Sequence, residues 1–178
     1  MGYIPDIRLS IHATELIVKQ AEVIEAEVLA EARSIDIFPT RFVNSLRTAN
    51  MLREIASLGL FSRFEGYLAR VYVTANNPIS RLCKELDDDG HRELALKVQV
   101  IRRANNAIKH GEGSSLDWLI AHKDELWFRV REVGNDYLDE GDVSEIQAVV
   151  DTTGSFFDEV KQVVEACLIL LPELEDWA

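Results

Sequence analysis

Residues 40–71 read TRFVNSLRTANMLREIASLGLFSRFEGYLARV, and their apolar positions Phe42, Leu46, Ala49, Leu52, Ala56, Leu60, Phe64, Leu68 and Val71 step by three or four throughout. A 3.6-residue period carries such positions onto one face. The stretch therefore predicts one long helix, or two joined near Gly59, with Thr40 as its cap. The same period continues on both sides. Ahead of it, residues 10–32 place Ile17, Ala21, Ile24 and Val28 on one stripe, with Glu15, Glu22, Glu25 and Glu31 elsewhere, and Ser10 stands at the N-cap. Behind it, Asn77-Pro78 supplies a cap and a first-turn proline for a short helix through Leu82, Cys83 and Leu86, which Asp87-Asp88-Asp89-Gly90 breaks.

Leu94, Val98, Ile101, Asn105 and Ile108 then repeat at steps of four and three, up to Gly111, a helix stop. A short helix is expected over residues 116–123. Residues 126–133 suit either a helix or a short strand, and are read as helix. Ser144 and Gln147 have capping-box spacing ahead of Ile146, Val150, Thr153, Phe157, Val160, Val164, Cys167 and Leu171, which predicts a long closing helix stopped by Pro172. The expected fold is all-α: a single domain over residues 1–178, an antiparallel helical bundle with long second and last helices.

Composition narrows the function. With 31 acidic against 19 basic residues, the net charge of -12 repels polyanions on average, so any nucleic-acid contact must be local. The charge also suits docking of a basic partner. No stretch approaches the ~20 apolar residues of a membrane span, and Met1 to Asp6 lack a secretory pattern, so a cytoplasmic protein with no membrane contact is expected. Cys83 and Cys167 sit inside apolar helical patterns without CxxC spacing, as packed, reduced thiols do.

The chemically pointed segment is Arg102-Arg103-Ala104-Asn105-Asn106-Ala107-Ile108-Lys109-His110-Gly111. Arg103 and His110 are seven residues apart, so they start from one helix face about 10 Å apart along the axis. Arg102, Asn106 and Lys109 follow a neighbouring stripe. Metal-free cleavage of RNA wants this set. A histidine takes the 2′-hydroxyl proton or protonates the leaving oxygen, and an arginine holds the phosphate and stabilises its added charge. Glu65, on the apolar stripe of the long helix beside Phe64, is the candidate for orienting Arg103 or His110. Its alternative role is a surface pair with Arg63 or Arg70.

An arginine near a helix end, followed by a polar residue and, after four to six intervening positions, by histidine and often glycine, is the motif of HEPN domains; here Ala104 stands where the polar residue follows the arginine. Arg103 to His110, with six residues between, resembles it at the outer limit of that spacing. The run from Asn105 to Gly111 resembles the commoner Arg-Asn-x-x-x-His-Gly form, with Asn105 where that form has arginine. The resemblance is confined to this motif and the helical layout. It implies a homodimer whose two motifs face a shared cleft, an RNA substrate, a metal-independent ribonuclease with no cofactor, and a toxin–antitoxin or phage-defence setting with an antitoxin protein as partner. Other members are non-catalytic.

The same residues have a structural reading. Asn105 shares the stripe of Val98 and Ile101, so it is expected to point inward as a polar clamp that holds the loop of residues 111–115. Lys109 and His110 also suit the negative end of a helix dipole. On this reading the protein is a non-catalytic, acidic, helical protein-interaction module. His12, His91 and His122 have no metal-ligand spacing, and the tryptophans are expected to pack rather than to stack on bases.

Overall fold

The structure, a computed structural model, describes residues 6–33, 39–130 and 149–171. Among them it is all-helical, with α1 (Ile7–Ala32), α2 (Thr40–Val71), α3 (Pro78–Asp88), α4 (Arg92–His110), α5 (Ser114–Ala121) and α6 (Phe156–Leu170), plus a 3-10 turn at Lys123–Glu125. No helix of the described residues is long and apolar enough to cross a membrane.

α2 is one uninterrupted helix of 32 residues, and Gly59 does not break it. Gly59 lies opposite α1, where an added Cβ would stand 4.0 Å from Thr14 Cγ2. Most of the stripe read from the sequence is buried: Phe42, Ala49, Ala56, Leu60, Phe64 and Leu68, joined by Phe61, while Leu46, Leu52 and Val71 are half-buried. Burial of each phenylalanine or leucine side chain stabilises by roughly 1.5–3 kcal/mol. The half from Ala56 to Leu68 enters the main core with Val98, Ile101, Phe156, Val160 and Val164. Phe42 and Ala49 of α2, with Ala21 and Val28 of α1, are buried outside that cluster, where α1 and α2 pack on each other.

Charge pairing holds this hairpin as well. Arg53, buried, donates from Nη2 to Glu25 and from Nη1 to Asn50 Oδ1 at 3.2 Å, and Arg41 pairs with Glu31. Further along α1, Lys161 of α6 reaches Glu15 at 2.9 Å.

The α3, α4 and α5 helices follow one another through two sharp turns. Gly90 (φ 86°) and Gly111 (φ 69°) take the left-handed region open to glycine, and each lets the chain reverse within three residues. His91 N–H donates to Leu86 O at 2.7 Å across the first turn, and Gly111 N–H to Ala107 O at 2.8 Å at the second. α3 begins as its sequence says, with Asn77 Oδ1 accepting from Ser80 N–H at 3.1 Å and Pro78 in the first turn. α3 packs on α4, and α4 carries α5.

Four boundaries differ from expectation. α1 starts at Ile7, one turn before the position Ser10 would set, because Asp6 Oδ1 accepts from Arg8 N–H at 2.9 Å. Thr40 is the first residue of α2 rather than its cap; Pro39 precedes it in extended conformation. α5 begins at Ser114 without a side-chain cap and ends at Ala121. Residues 126–130 are not helical, and Val130 instead forms an isolated antiparallel bridge with Val150; residues 131–133 lie outside the described part.

The last helix is the largest departure. It runs 15 residues from Phe156, because Val150 is held in the bridge and Gly154 (φ 62°) turns the chain just before the helix. The expected cap at Ser144 and stop at Pro172 lie outside the described residues.

Candidate functional site

α4 presents two kinds of face. Ala95, Val98, Ile101, Ala104, Asn105 and Ala107 are buried. A second stripe at the same helical step, Arg92, Leu96, Gln99, Arg102, Arg103 and Asn106, lines a groove of about 730 Å³ against Ile79, Ser80, Cys83, Lys84 and Asp87 of α3, with Ser115 of α5 at one end. Side chains three and four apart on each helix share a face, so two facing helices place two such rows opposite one another.

The groove is cationic within an acidic chain. Lys84, Arg92, Arg102 and Arg103 line it against one carboxylate, Asp87. None of these four cations forms an ion pair with a described residue, whereas Arg41, Arg53, Lys97 and Lys161 elsewhere are each matched by a glutamate. Unpaired guanidinium groups keep their hydrogen-bond forks free, the form that receives phosphate oxygens two at a time.

Arg103 is held by an aromatic ring instead of an acid. Its guanidinium carbon lies 4.6 Å from the Trp118 ring centroid, and Trp118 also stacks on His122 at 4.0 Å with planes 16° apart. His122 is fixed by a 2.8 Å hydrogen bond between Nδ1 and Trp118 O. Such a contact contributes about 0.5–1 kcal/mol at a partly exposed site and leaves the charge uncompensated. Trp118 packs against the core, as expected of the tryptophans, and its contact with Arg103 is one that the sequence does not announce.

The sequence-derived site residues divide in space. Arg102, Arg103 and Asn106 meet in the groove. Lys109 turns away to Glu65 of α2, with Nζ 3.7 Å from Oε2. Glu65 therefore does reach the segment, through Lys109 rather than through Arg103 or His110, and its partner is neither Arg63 nor Arg70. His110 is exposed in the last turn of α4 and does not line the groove; seven residues of helix put it about 10 Å beyond Arg103.

Asn105 is 1 % exposed, as its stripe requires. Its Nδ2 donates to Ile101 O at 2.9 Å, one turn back on its own helix, and Oδ1 accepts nothing from the described residues. It does not clamp the loop of residues 111–115 by a hydrogen bond. An orphaned buried acceptor costs roughly 1–3 kcal/mol, so Asn105 stands in the core at some expense of stability.

Cys83 forms part of the groove floor. It is buried, its Sγ approaches Ala95 O at 3.7 Å, and burial raises its pKa against smaller lowering effects from Gln99 and Arg102. Cys167 in α6 is buried too, and its pKa is pushed up to about 12, chiefly by burial. Both are free thiols. No group of three or more His, Cys, Asp or Glu among the described residues is arranged to hold a metal ion.

Lys84 and Arg92 carry no motif that marks them in the sequence. The step from Arg92 through Leu96, Gln99 and Arg103 to Asn106 was there to be read, but only the fold brings Lys84 opposite it. Compared with known families, curated proteins and solved structures, the chain matches no family model, no curated protein and no solved structure.

Proposed function

We propose that the protein is a HEPN-like, metal-independent endoribonuclease acting as a homodimer. The observation that carries this reading is the convergence of Arg102, Arg103 and Asn106 on one groove whose cations have no acidic partner among the described residues. In an acidic chain, cations along one groove with no acidic partner among the described residues are suited to an anionic ligand. Arg103, braced by Trp118, holds the phosphate and stabilises the charge that builds when the 2′-oxygen attacks phosphorus. His110 moves the proton to or from the reacting oxygens. Because His110 lies two turns beyond Arg103, it serves the phosphate held by a facing copy, which also doubles the positive charge in the shared cleft. A toxin–antitoxin or phage-defence setting, with an antitoxin that covers the cleft, is the biological context that the motif resemblance suggests.

The test is incubation of the purified protein with unstructured RNA in EDTA, beside His110→Ala and Arg103→Ala. The expected result is cleavage by the parent protein, products ending in cyclic phosphate, and loss of cleavage in both variants. Equal cleavage by all three, or none by the parent, would remove the proposal.

A second reading, a non-catalytic acidic helical module that binds a protein partner, is favoured by the burial of Asn105 at the position the commoner motif gives to arginine. It expects Asn105→Ala to change thermal stability more than His110→Ala, with no RNA cleavage by either.

A further inference from the structure

The groove is longer than the motif that led to it. On α4 alone, Arg92 to Arg103 spans about 16 Å of helix, with Gln99 and Arg102 between, and Lys84 of α3 faces this row. We infer that the whole α3–α4 groove is a track for the phosphodiester backbone of single-stranded nucleic acid, with Lys84 and Arg92 as binding residues beyond residues 102–106. The inference rests on the reading of residues 102–106 as a phosphate-binding face, and adds the form of the ligand and the means of its recognition.

Shape argues for a single strand. Neighbouring packed helices have axes about 8–10 Å apart, so the channel between their outer faces has the width of one extended chain, and a duplex would reach it with one backbone only. Chemistry argues against base reading. The floor offers the apolar Ile79, Cys83 and Ala95, and Trp118 is already engaged by Arg103 and His122, so no free aromatic platform receives a base. The four cations meet phosphate oxygens whatever the sequence, and Ser80, Gln99, Asn106 and Ser115 between them offer single hydrogen bonds rather than a paired set for one base edge. With a net charge of -12 over the whole chain, the mean field disfavours phosphate away from such a row of cations.

Fluorescence anisotropy with labelled oligouridine and oligoadenine 12-mers, the same strands in DNA, and the RNA and DNA duplexes tests this, using His110→Ala so that nothing is cut. Single strands should bind within about threefold of each other between base sequences, and within about tenfold between RNA and DNA, because the cations meet the shared phosphodiester. Duplexes should bind at least about tenfold more weakly. The slope of log affinity against log salt should be about -3 for four phosphates, and should fall to about -1.4 when Lys84→Gln and Arg92→Gln are combined, on the single-strand value of about -0.7 per contact. Both side chains are exposed, so the melting temperature should not move, and Lys84→Arg with Arg92 intact should retain the full slope.

An unchanged slope in the double variant would overturn the inference, as would duplexes bound as tightly as strands, a strong preference for one base, or no binding of any strand at low salt. Strand binding with the expected slope but no cleavage by the parent protein sinks the ribonuclease and spares the track. Cleavage with a slope indifferent to Lys84 and Arg92 does the reverse.

Discussion

Arg53 and Arg103 are both arginines on long helices, and their surroundings make them opposites. Arg53, within the α1–α2 hairpin, is buried and spends its guanidinium on Glu25 and Asn50. Arg103, on the α3–α4 groove, lies against Trp118 with no acidic partner among the described residues. The first arrangement joins two helices; the second leaves a charge without an acidic partner among the described residues. In an acidic protein, the pairing of a cation says more about its role than the count of cations does.

The sharpest way to break this comparison is to truncate both residues. Arg103→Ala should lower RNA cleavage by about 100-fold or more, the scale of losing one charge-stabilising donor, while its stability changes by no more than the ~0.5–1 kcal/mol of the tryptophan contact. Single-turnover rates and thermal melts measure the two effects separately. A large fall in melting temperature with unchanged cleavage would put Arg103 in the same class as Arg53.

Arg53→Ala should do the opposite. Two hydrogen bonds and the buried aliphatic stem are lost, for a destabilisation of about 2–3 kcal/mol, with cleavage near the parent level at a temperature where the variant is folded. Chemical denaturation gives the first quantity. Added salt sharpens the contrast further: on the proposed reading it should weaken oligonucleotide binding in the groove, and it should affect the half-buried Arg53–Glu25 pair less.

Lys161 with Glu15 is an intermediate case, a pair between α1 and α6 that is partly exposed. The hydrogen bond from Lys161 holds the Glu15 carboxyl below its ordinary range. A depressed carboxylate stabilises the fold above its unfolded pKa, and that contribution fades as pH falls through the lower folded value. Lys161→Met should therefore cost under about 1 kcal/mol at pH 7, and the gap in melting temperature from the parent should close below about pH 4. The smallest effect belongs to the thiols. Cys83 and Cys167 should not react with a water-soluble disulfide reagent in the native protein, and both should react in denaturant.

The regular helices were the legible part of this molecule. The period of α2, the Asn77-Pro78 start of α3, the inward Asn105 and the Gly111 stop are all local facts, and each stands as the residues wrote it. The closing helix was not legible, because the apolar period runs through Val150 without a break, and only a pairing with Val130 from another part of the chain takes Val150 out of the helix. The candidate site was half legible for the same reason. Arg102, Arg103 and Asn106 come from one helix face, while Lys84 and Trp118 join them only through the turns at Gly90 and Gly111.

Those two glycine turns also bear on the order of folding. They connect α3, α4 and α5 through three residues each, so the contacts that build the groove join positions close along the chain, whereas Lys161 and Glu15 must find each other across 146 residues. Short loops cost little closure entropy, and structure rich in local contacts forms fastest. By that rule the three-helix segment is expected to form before α1 meets α6, so Val98→Ala should slow refolding more than Lys161→Met does, as stopped-flow fluorescence would read.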